Sequence, residues 1–243
     1  MADIHSDRDF ISIIIPTYRE AENIPILSQE IDQALKASRL PYEIIIVDDD
    51  SGDGIVDAVD ELKKCPFNIT LIVRKRERGL SSAVLEGLRS ATGDIAVVMD
   101  ADLSHPPQKI PDLVAPIIRD EADFVIGSRF MTGGSATHFT WYRKLNALAA
   151  RILARPFTGV TDPMAGFFAF HRKLLTPEVT LNPLGFKIGM EIIVKAAPKR
   201  ITEIGIHFQK RRNGESKLSF REQVNYIIHL KRLYAYKWKA RAR

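Results

Sequence analysis

Short apolar runs alternate with amphipathic stretches along this chain. Runs with the length and the branched or aromatic composition of buried strands lie at residues 11–15, 42–47, 69–73, 95–99, 124–127 and 167–170. Between the first two runs, apolar residues recur at helical spacing as far as about Ser38. This alternation predicts a single α/β domain, with a Rossmann-like mixed, mostly parallel sheet flanked by helices.

Carboxylates follow directly on two of these predicted strands. The run at 95–99 leads into Asp100 and Asp102, and the run at 42–47 leads into three successive aspartates, 48–50. Because the carboxyl ends of parallel strands form the ligand crevice of such sheets, we expect these side chains to lie beside a ligand. Asp-x-Asp alone is a weak signal, and it also suits a polar turn in which Asp102 caps the next helix.

A basic loop follows the third predicted strand. Residues 74–78 carry four cations, and Gly79 with two serines precedes a new helix, which predicts an anion site at a helix N-terminus. No Gly-x-Gly-x-x-Gly follows the first strand, and no P-loop motif occurs. Acidic strand ends and one basic loop therefore favour a nucleotide-sugar site over a dinucleotide or P-loop site.

The cysteine content and the lengths of the apolar runs indicate the expected cellular compartment. The single cysteine, Cys65, excludes an intrachain disulfide, fits a reducing cytosol and is expected to pack at a helix end. The first residues do not read as a signal peptide, and no apolar run approaches the ~18 residues of a membrane span. We expect a cytoplasmic protein without a span.

The positive charge is concentrated in the tail. Residues 207–243 hold 11 Lys/Arg against 2 Asp/Glu, a net of +9, whereas the other 206 residues have a net of −4. Apolar residues at helical spacing predict an amphipathic helix with the stripe Phe220, Val224, Ile227, Leu230, Tyr234 and Trp238. Basic residues with aromatic neighbours suit an anionic membrane surface, although the stripe would equally pack on the domain. No nucleic-acid motif accompanies the charge, so nucleic acid is not an expected partner.

Six motifs resemble a known family when taken in order. Residues 16–20 (PTYRE), 47–51 (VDDDS) and 100–107 (DADLSHPP) are similar to those of inverting GT-A glycosyltransferases. Residues 127–129 (GSR), 162–168 (DPMAGFF) and 211–217 (RRNGESK) narrow the resemblance to the dolichol-phosphate (polyprenyl-phosphate) mannosyltransferase family. The resemblance implies a GT-A catalytic domain over residues 1–218, followed by a basic amphipathic helix over 219–243.

The same resemblance implies where the donor and its metal bind. The donor nucleotide is expected to contact Pro16, Tyr18, Glu20, Asp48, Asp50, Asp100, Ala101 and Asp102. Asp100 and Asp102 are expected to bind Mg²⁺ or Mn²⁺, with Ser104 as an additional ligand, because hard cations prefer oxygen.

For the acceptor, the resemblance implies a set of cations. The phosphate of the acceptor is expected to contact Arg129, Arg143, Arg211 and Lys217. Each arginine would otherwise form a surface salt bridge, but its planar fork suits phosphate. Asp102, Arg129 and Arg211 are expected to carry catalysis. Asp162 and Glu191 are expected either to position the sugar or to serve a helix terminus.

The implied reaction transfers mannose from GDP-mannose to a polyprenyl (dolichyl-type) phosphate with inversion, at the cytosolic face of a membrane. The enzyme would attach there through its tail helix or through a separate membrane-anchor protein. Two alternatives stay open: UDP-glucose or another nucleotide sugar as donor, and a non-catalytic GT-A-like membrane subunit. The chain also departs from the family pattern at Ala147, where a serine is usual, and in its Asp-Pro-Met-Ala-Gly-Phe-Phe segment.

Overall fold

The computed structural model describes residues 10–136, 140–185, 187–209 and 220–241. Within these ranges, seven strands form one sheet in the order β3-β2-β1-β4-β6-β5-β7. The strands are β1 (Ile11–Thr17), β2 (Tyr42–Asp48), β3 (Ile69–Val73), β4 (Ile95–Val98), β5 (Phe124–Ser128), β6 (Phe168–His171) and β7 (Ile201–Gly205). Only β6 runs antiparallel to its neighbours. The predicted mixed, mostly parallel sheet is confirmed.

Helices cover both faces of this sheet. They are α1 (Ile24–Ser38), α2 (Ile55–Lys63), α3 (Leu80–Ser90), α4 (Ile110–Ile118), α5 (Trp141–Ala154), α6 (Ile188–Lys195) and α7 (Phe220–Arg241). Along β1, Ile13 and Ile15 join the core beneath α1, α2 and α4, whereas Ile14 joins the core beneath α3 and α6. This division follows from the alternation of side chains along a strand.

Two local predictions need correction. β1 continues through Pro16 to Thr17, because β4 pairs with β1 only as far as Ile14 and leaves Pro16 with a neighbouring strand on one side alone. Cys65, predicted to pack at a helix end, is exposed just beyond α2.

A buried polar cluster links β1, β2 and the segment before β4 at the end of the sheet opposite the strand carboxyl ends. The Glu43 carboxylate accepts hydrogen bonds from Ser12 Oγ (2.6 Å) and from the amide and hydroxyl of Thr92 (both 2.7 Å). Gly93 donates its N–H to Ser12 Oγ, and a side chain at Gly93 would collide with the Phe10 carbonyl at 2.5 Å. Burial opposes the charge on Glu43, but these hydrogen bonds outweigh it and lower the pKa of the carboxyl.

The C-terminal helix packs on the domain through one face. Tyr226, Leu230 and Leu233 are buried against Ala150 of α5 and Met190 of α6. The Tyr226 hydroxyl donates to the Ala150 carbonyl (2.9 Å), so its one polar atom is satisfied. Burial raises the pKa of Tyr226, so the side chain that anchors the helix is a neutral phenol.

The predicted apolar stripe of this helix is not the face that packs on the domain. Of its described members, only Leu230 is buried, while Val224, Ile227, Tyr234 and Trp238 are exposed. The buried face is shifted to the Tyr226 side, since contact with α5 and α6 selects it. The predicted boundary at residue 218 lies outside the described residues. Among those described, no helix is both long and apolar enough to cross a bilayer.

Candidate active site

The loop after β4 holds its acidic side chains rigidly. Leu103 takes a left-handed conformation (φ 61°), and this turn brings Ser104 back onto Asp102. Both the amide (3.0 Å) and the hydroxyl (2.5 Å) of Ser104 donate to Asp102 Oδ1, and Asp102 is only 4% exposed. Asp102 therefore belongs to a local turn and does not cap the next helical segment, which begins after Pro106.

His105 supports the same loop from beneath. Its Nδ1 accepts the Asp100 N–H (3.0 Å), and its Nε2 lies 4.0 Å from Asp100 Oδ2. The ring stacks on Phe167 and meets the edge of Phe208, with centroids 5.2 and 5.5 Å away. Burial lowers the pKa of His105, against the opposing effect of Asp100 and Asp102, so the ring is a neutral structural support.

The backbone of Gly166 closes the other side of Asp100. A Cβ at this position would lie 3.3 Å from His105 Cε1 and 3.5 Å from both Asp100 carboxylate oxygens. A side chain at this position would therefore crowd His105 and make van der Waals contact with the Asp100 carboxylate. This explains why glycine stands at this point of the DPMAGFF segment.

Arg129 extends from the end of β5 and is held by Asp162. Its Nε (2.7 Å) and Nη2 (2.8 Å) bind the two carboxylate oxygens, and its amide adds a third hydrogen bond of 3.1 Å. Asp162 is 1% exposed, so this is a buried ion pair. Burial opposes the charge on Arg129, but Asp162 and Asp100 outweigh it and raise its pKa. The Arg129 guanidinium carbon also lies 5.4 Å from the ring centroid of Phe208, which contacts His105, so the cation lies beside the acidic loop.

Glu203 of β7 supports this pair and was not predicted from the sequence. Its carboxylate accepts the Thr161 amide and hydroxyl (both 2.7 Å) and the Asp162 amide (3.1 Å). The Thr161 hydroxyl also meets Ser128 Oγ at 2.9 Å. A lone glutamate in a five-residue strand gives no sequence signal, because only the fold brings β7 beside β5.

The three aspartates after β2 serve different purposes. Asp48 is buried and accepts hydrogen bonds from Thr17 Oγ1 (3.1 Å) and from the amide and hydroxyl of Ser51 (2.8 and 2.5 Å). Asp50 is exposed in a left-handed turn (φ 52°). Their expected contacts with the donor nucleotide stay predictions.

Asp49, between them, corrects the predicted anion site. It forms a buried ion pair with Arg74 and accepts the Gly79 amide (2.6 Å) immediately before α3. The sequence predicts an external anion at this helix N-terminus, but a carboxylate of the chain itself lies there. The helix N-terminus does attract a negative charge, as predicted, but that charge belongs to Asp49 and not to a bound ligand.

The Tyr18 ring lies beside β1 with two cations over it. The guanidinium carbons of Arg19 and Arg78 lie 5.3 and 5.6 Å from the ring centroid. Arg78 belongs to the basic loop and was not among the expected site residues. Glu20 accepts a hydrogen bond from Asn23 Nδ2 (2.7 Å) before α1, which gives it a local structural role, and its expected contact with the donor stays a prediction.

The acidic loop offers the oxygen ligands that a hard divalent cation prefers. Within the described ranges, no three His, Cys, Asp or Glu side chains come together as a metal site of their own. The loop supplies two carboxylates, Asp100 and Asp102, and the Ser104 hydroxyl. Mg²⁺ and Mn²⁺ commonly bind through one or two carboxylates and take their remaining ligands from substrate phosphates and water. The residues present fit such an ion.

The other expected acceptor residues lie farther along the chain. Arg143 is half-buried in the first turn of α5, where the Thr140 hydroxyl caps the helix by accepting the Arg143 amide. Ala147 lies one turn later on the same helix. Arg211 and Lys217 lie outside the described residues, so their roles stay predictions.

Glu191 does not join this site. It lies on α6 at 1% exposure, where its Oε1 binds Lys195 Nζ (2.5 Å) and accepts the Asn182 amide (2.7 Å).

Two helices that pack on each other also present apolar faces to solvent. α5 exposes Trp141, Leu145, Leu148 and Ile152 at helical spacing, with Trp141 76% and Ile152 62% exposed. Trp238 on α7 is 80% exposed. The apolar surface of α5 was not predicted from the sequence.

Comparisons with known proteins agree with this geometry. The sequence profile of Glycosyl transferase family 2 matches residues 12–176. A dolichol-phosphate mannosyltransferase of Pyrococcus furiosus is 43% identical over 233 residues, covering 94% of this chain and 64% of the relative. A dolichol-phosphate mannosyltransferase of Saccharomyces cerevisiae is 40% identical over 239 residues, covering 94% of this chain and 88% of the relative. The chain thus spans just under two thirds of the archaeal relative and most of the yeast one.

Among solved structures, glucosyl-3-phosphoglycerate synthase from Mycobacterium tuberculosis, in complex with Mn²⁺, UDP and its product, superposes with a TM-score of 0.65. It is 19% identical and the match covers 93% of this chain and 78% of that one. This similarity shows the fold and agrees with the GT-A prediction.

Proposed function

This chain is a glycosyltransferase that belongs to glycosyl transferase family 2 and to the dolichol-phosphate mannosyltransferases, and we propose that it transfers mannose from GDP-mannose to a polyprenyl (dolichyl-type) phosphate with inversion. The observation that carries the proposal is the position of Arg129 beside the acidic loop, where Phe208 contacts both Arg129 and His105. A reaction between two phosphate-bearing substrates requires a carboxylate site for a cation and a separate protein cation, close together.

On the donor side, Asp100 and Asp102 would hold Mg²⁺ or Mn²⁺, which would supply positive charge to offset that of the leaving diphosphate. The Mn²⁺ and UDP of the M. tuberculosis neighbour support a metal-dependent donor site of this kind. Ser104 fixes the orientation of Asp102, and His105 fixes the backbone of Asp100. Tyr18, Asp48 and Asp50, together with Pro16, Glu20 and Ala101, border the nucleotide.

On the acceptor side, the nucleophile is the phosphate oxygen of the lipid. The second ionisation of a phosphate monoester lies near pH ~6, so this oxygen is anionic at neutral pH and needs no general base. Arg129, with Arg143, Arg211 and Lys217, draws the acceptor phosphate towards the donor. Asp162 holds the guanidinium of Arg129 in a fixed plane, which reduces the entropy lost when phosphate binds.

The enzyme works on the cytosolic surface of a membrane. The fourteen residues of α5 and the segment 224–243 contain no Asp or Glu, although both are rich in Lys and Arg. An exposed apolar face with a purely cationic surround suits an anionic lipid surface. The long acceptor chain then stays in lipid while its phosphate reaches Arg129. A separate anchor protein remains the alternative means of attachment.

A radiolabel transfer assay tests this function. Purified protein with Mn²⁺ and a short polyprenyl phosphate is incubated with GDP-[³H]mannose, UDP-[³H]glucose or GDP-[³H]glucose, with the Asp102→Asn variant as control. We expect polyprenyl-phosphate mannose from GDP-mannose alone, with β linkage by NMR. Transfer from UDP-glucose instead would change the donor, and absence of transfer from every donor would favour the non-catalytic subunit.

A further inference from the structure

A cavity lies between α6 and α7, apart from the acidic loop and Arg129. Its volume is about 320 Å³, room for several water molecules or one small organic molecule. Its walls come from α6, from one flank of α7 and from Asn182; none of its lining residues belongs to the proposed transferase site.

Two buried polar side chains line this cavity without their full set of partners. Glu191 and His229 are each 1% exposed. Among the described residues, Glu191 Oε2 and both ring nitrogens of His229 have no hydrogen-bond partner, and the two groups lie 4.0 Å apart. Leaving such atoms unpaired costs roughly 1–3 kcal/mol each, so a molecule in the cavity that pairs with them would be stabilised.

The charge around the cavity selects the kind of molecule. Three cations line it, Lys195, Arg232 and Lys239, against the single carboxylate of Glu191. Lys195 already neutralises Glu191 at 2.5 Å, which leaves the positive charges of Arg232 and Lys239 at the exposed edge. The site therefore attracts an anion at its edge and offers Glu191 Oε2, a hydrogen-bond acceptor, in its interior.

A bare phosphate fits both ends poorly, because contact with Glu191 Oε2 would bring two negative charges together. A hydroxyl group can donate to Glu191 Oε2 and also pair with a nitrogen of His229. We propose that this cavity binds a phosphate ester of a small polyol, with the phosphate on Arg232 and Lys239 and a hydroxyl between Glu191 and His229. A soluble phosphate ester and a phospholipid headgroup share this chemistry.

Isothermal titration calorimetry of the full chain with glycerol 1-phosphate tests the proposal. Arg232→Ala and Lys239→Ala should each weaken binding by about tenfold, the typical effect of losing one charge-assisted hydrogen bond. Lys231→Ala is the matched control, since Lys231 is an exposed cation on α7 that does not line the cavity. Equal affinity in all three variants would overturn the site.

Propyl phosphate, which has the same chain without hydroxyl groups, tests the interior contacts. We expect it to bind at least fivefold more weakly than glycerol 1-phosphate, and only glycerol 1-phosphate should shift the imidazole NMR signals of His229. Equal binding of the two esters, or an unmoved His229, would overturn the assignment.

Vesicles of phosphatidylglycerol test whether the ligand is a lipid headgroup. A response to vesicles that is lost in Arg232→Ala, without a response to the soluble ester, identifies the headgroup as the source. No response to either probe rejects the proposal.

Discussion

Arg129 is bound by Asp162 through both of the carboxylate oxygens, so the cation at the end of β5 has a buried counter-ion before any substrate arrives. If Arg129 binds the acceptor phosphate as proposed, that phosphate shares the guanidinium with Asp162. This arrangement keeps Arg129 charged and oriented. The contribution of its planar guanidinium can therefore be tested separately from that of its charge.

Arg129→Lys preserves the charge but removes the planar fork. We expect the KM for a short polyprenyl phosphate to rise by about tenfold or more, the effect of one lost charge-assisted hydrogen bond. The Kd for Mn²⁺-GDP should change by less than about twofold, because lysine keeps the positive charge beside the acidic loop. Arg119→Lys, at an exposed ion pair, is the control. An equal loss of GDP affinity would assign Arg129 to the donor.

Asp102→Asn should abolish metal-dependent donor binding while the protein stays folded. The amide keeps the shape of the side chain but removes the charge that a divalent cation requires. Titration with GDP in the presence of Mn²⁺ and of EDTA measures this directly. The exposed Asp112→Asn on α4 should behave as wild type. Activity that survives in EDTA would reject the metal site.

Gly166→Ala tests how closely the backbone must approach Asp100. The added methyl would press on His105 at 3.3 Å and narrow the space beside the carboxylate. We expect weaker Mn²⁺-GDP binding and a loss of stability of about 1 kcal/mol or more. Gly159→Ala has open space around its Cβ and should show neither effect. The contrast between the two variants is measured by calorimetry and urea unfolding.

Glu43 should make stability depend on pH. Because its pKa is lowered on folding, the folded carboxylate stabilises the protein above the unfolded value of 4.5, and this stability is lost as pH falls through the folded value. Glu43→Gln should therefore lower the free energy of unfolding at pH 7 and flatten its pH dependence below pH 4.5. Urea unfolding between pH 3 and 7 measures both, with exposed Glu61→Gln as control. A slope unchanged by Glu43→Gln would contradict the prediction.

Membrane binding should depend on the exposed apolar faces. Trp141→Ser, Ile152→Ser and Trp238→Ser should each reduce sedimentation with anionic vesicles, because each removes apolar surface that lipid would bury. Truncation before α7 is a poor test, since it would uncover the core beneath Tyr226 and Leu230. Val56→Ser, at an exposed apolar residue on α2, is the control. Unchanged binding in all three variants would point to a separate anchor protein.

The sequence predicted the sheet well because its strands are short apolar runs whose burial leaves little choice of structure. It also predicted the acidic loop, since a motif within eight residues reports a local turn. The features that the sequence did not predict depend on residues that are far apart along the chain. Glu203 and the partner of Arg129 became visible only when β7 and the segment before β6 lay beside β5.

The helix surfaces illustrate the same limit. Apolar spacing located α7, but several stripes on one helix compete for burial, and contacts with Ala150 and Met190 selected the one containing Tyr226. A pattern of apolar residues reports that a helix has an apolar face. It does not report whether a core, a lipid or water meets that face.

The strand order also implies a sequence of assembly during protein synthesis. β1 to β4 can pair as soon as they have left the ribosome, and they carry Asp48, Asp100 and Asp102. Among the described strands, β5 pairs only with β6 and β7, so Arg129 must wait about 40 residues for β6, roughly 2–8 s of translation. A nascent chain would thus form its acidic loop before Arg129 joins the sheet, and a ribosome stalled between β5 and β6 would display the first without the second.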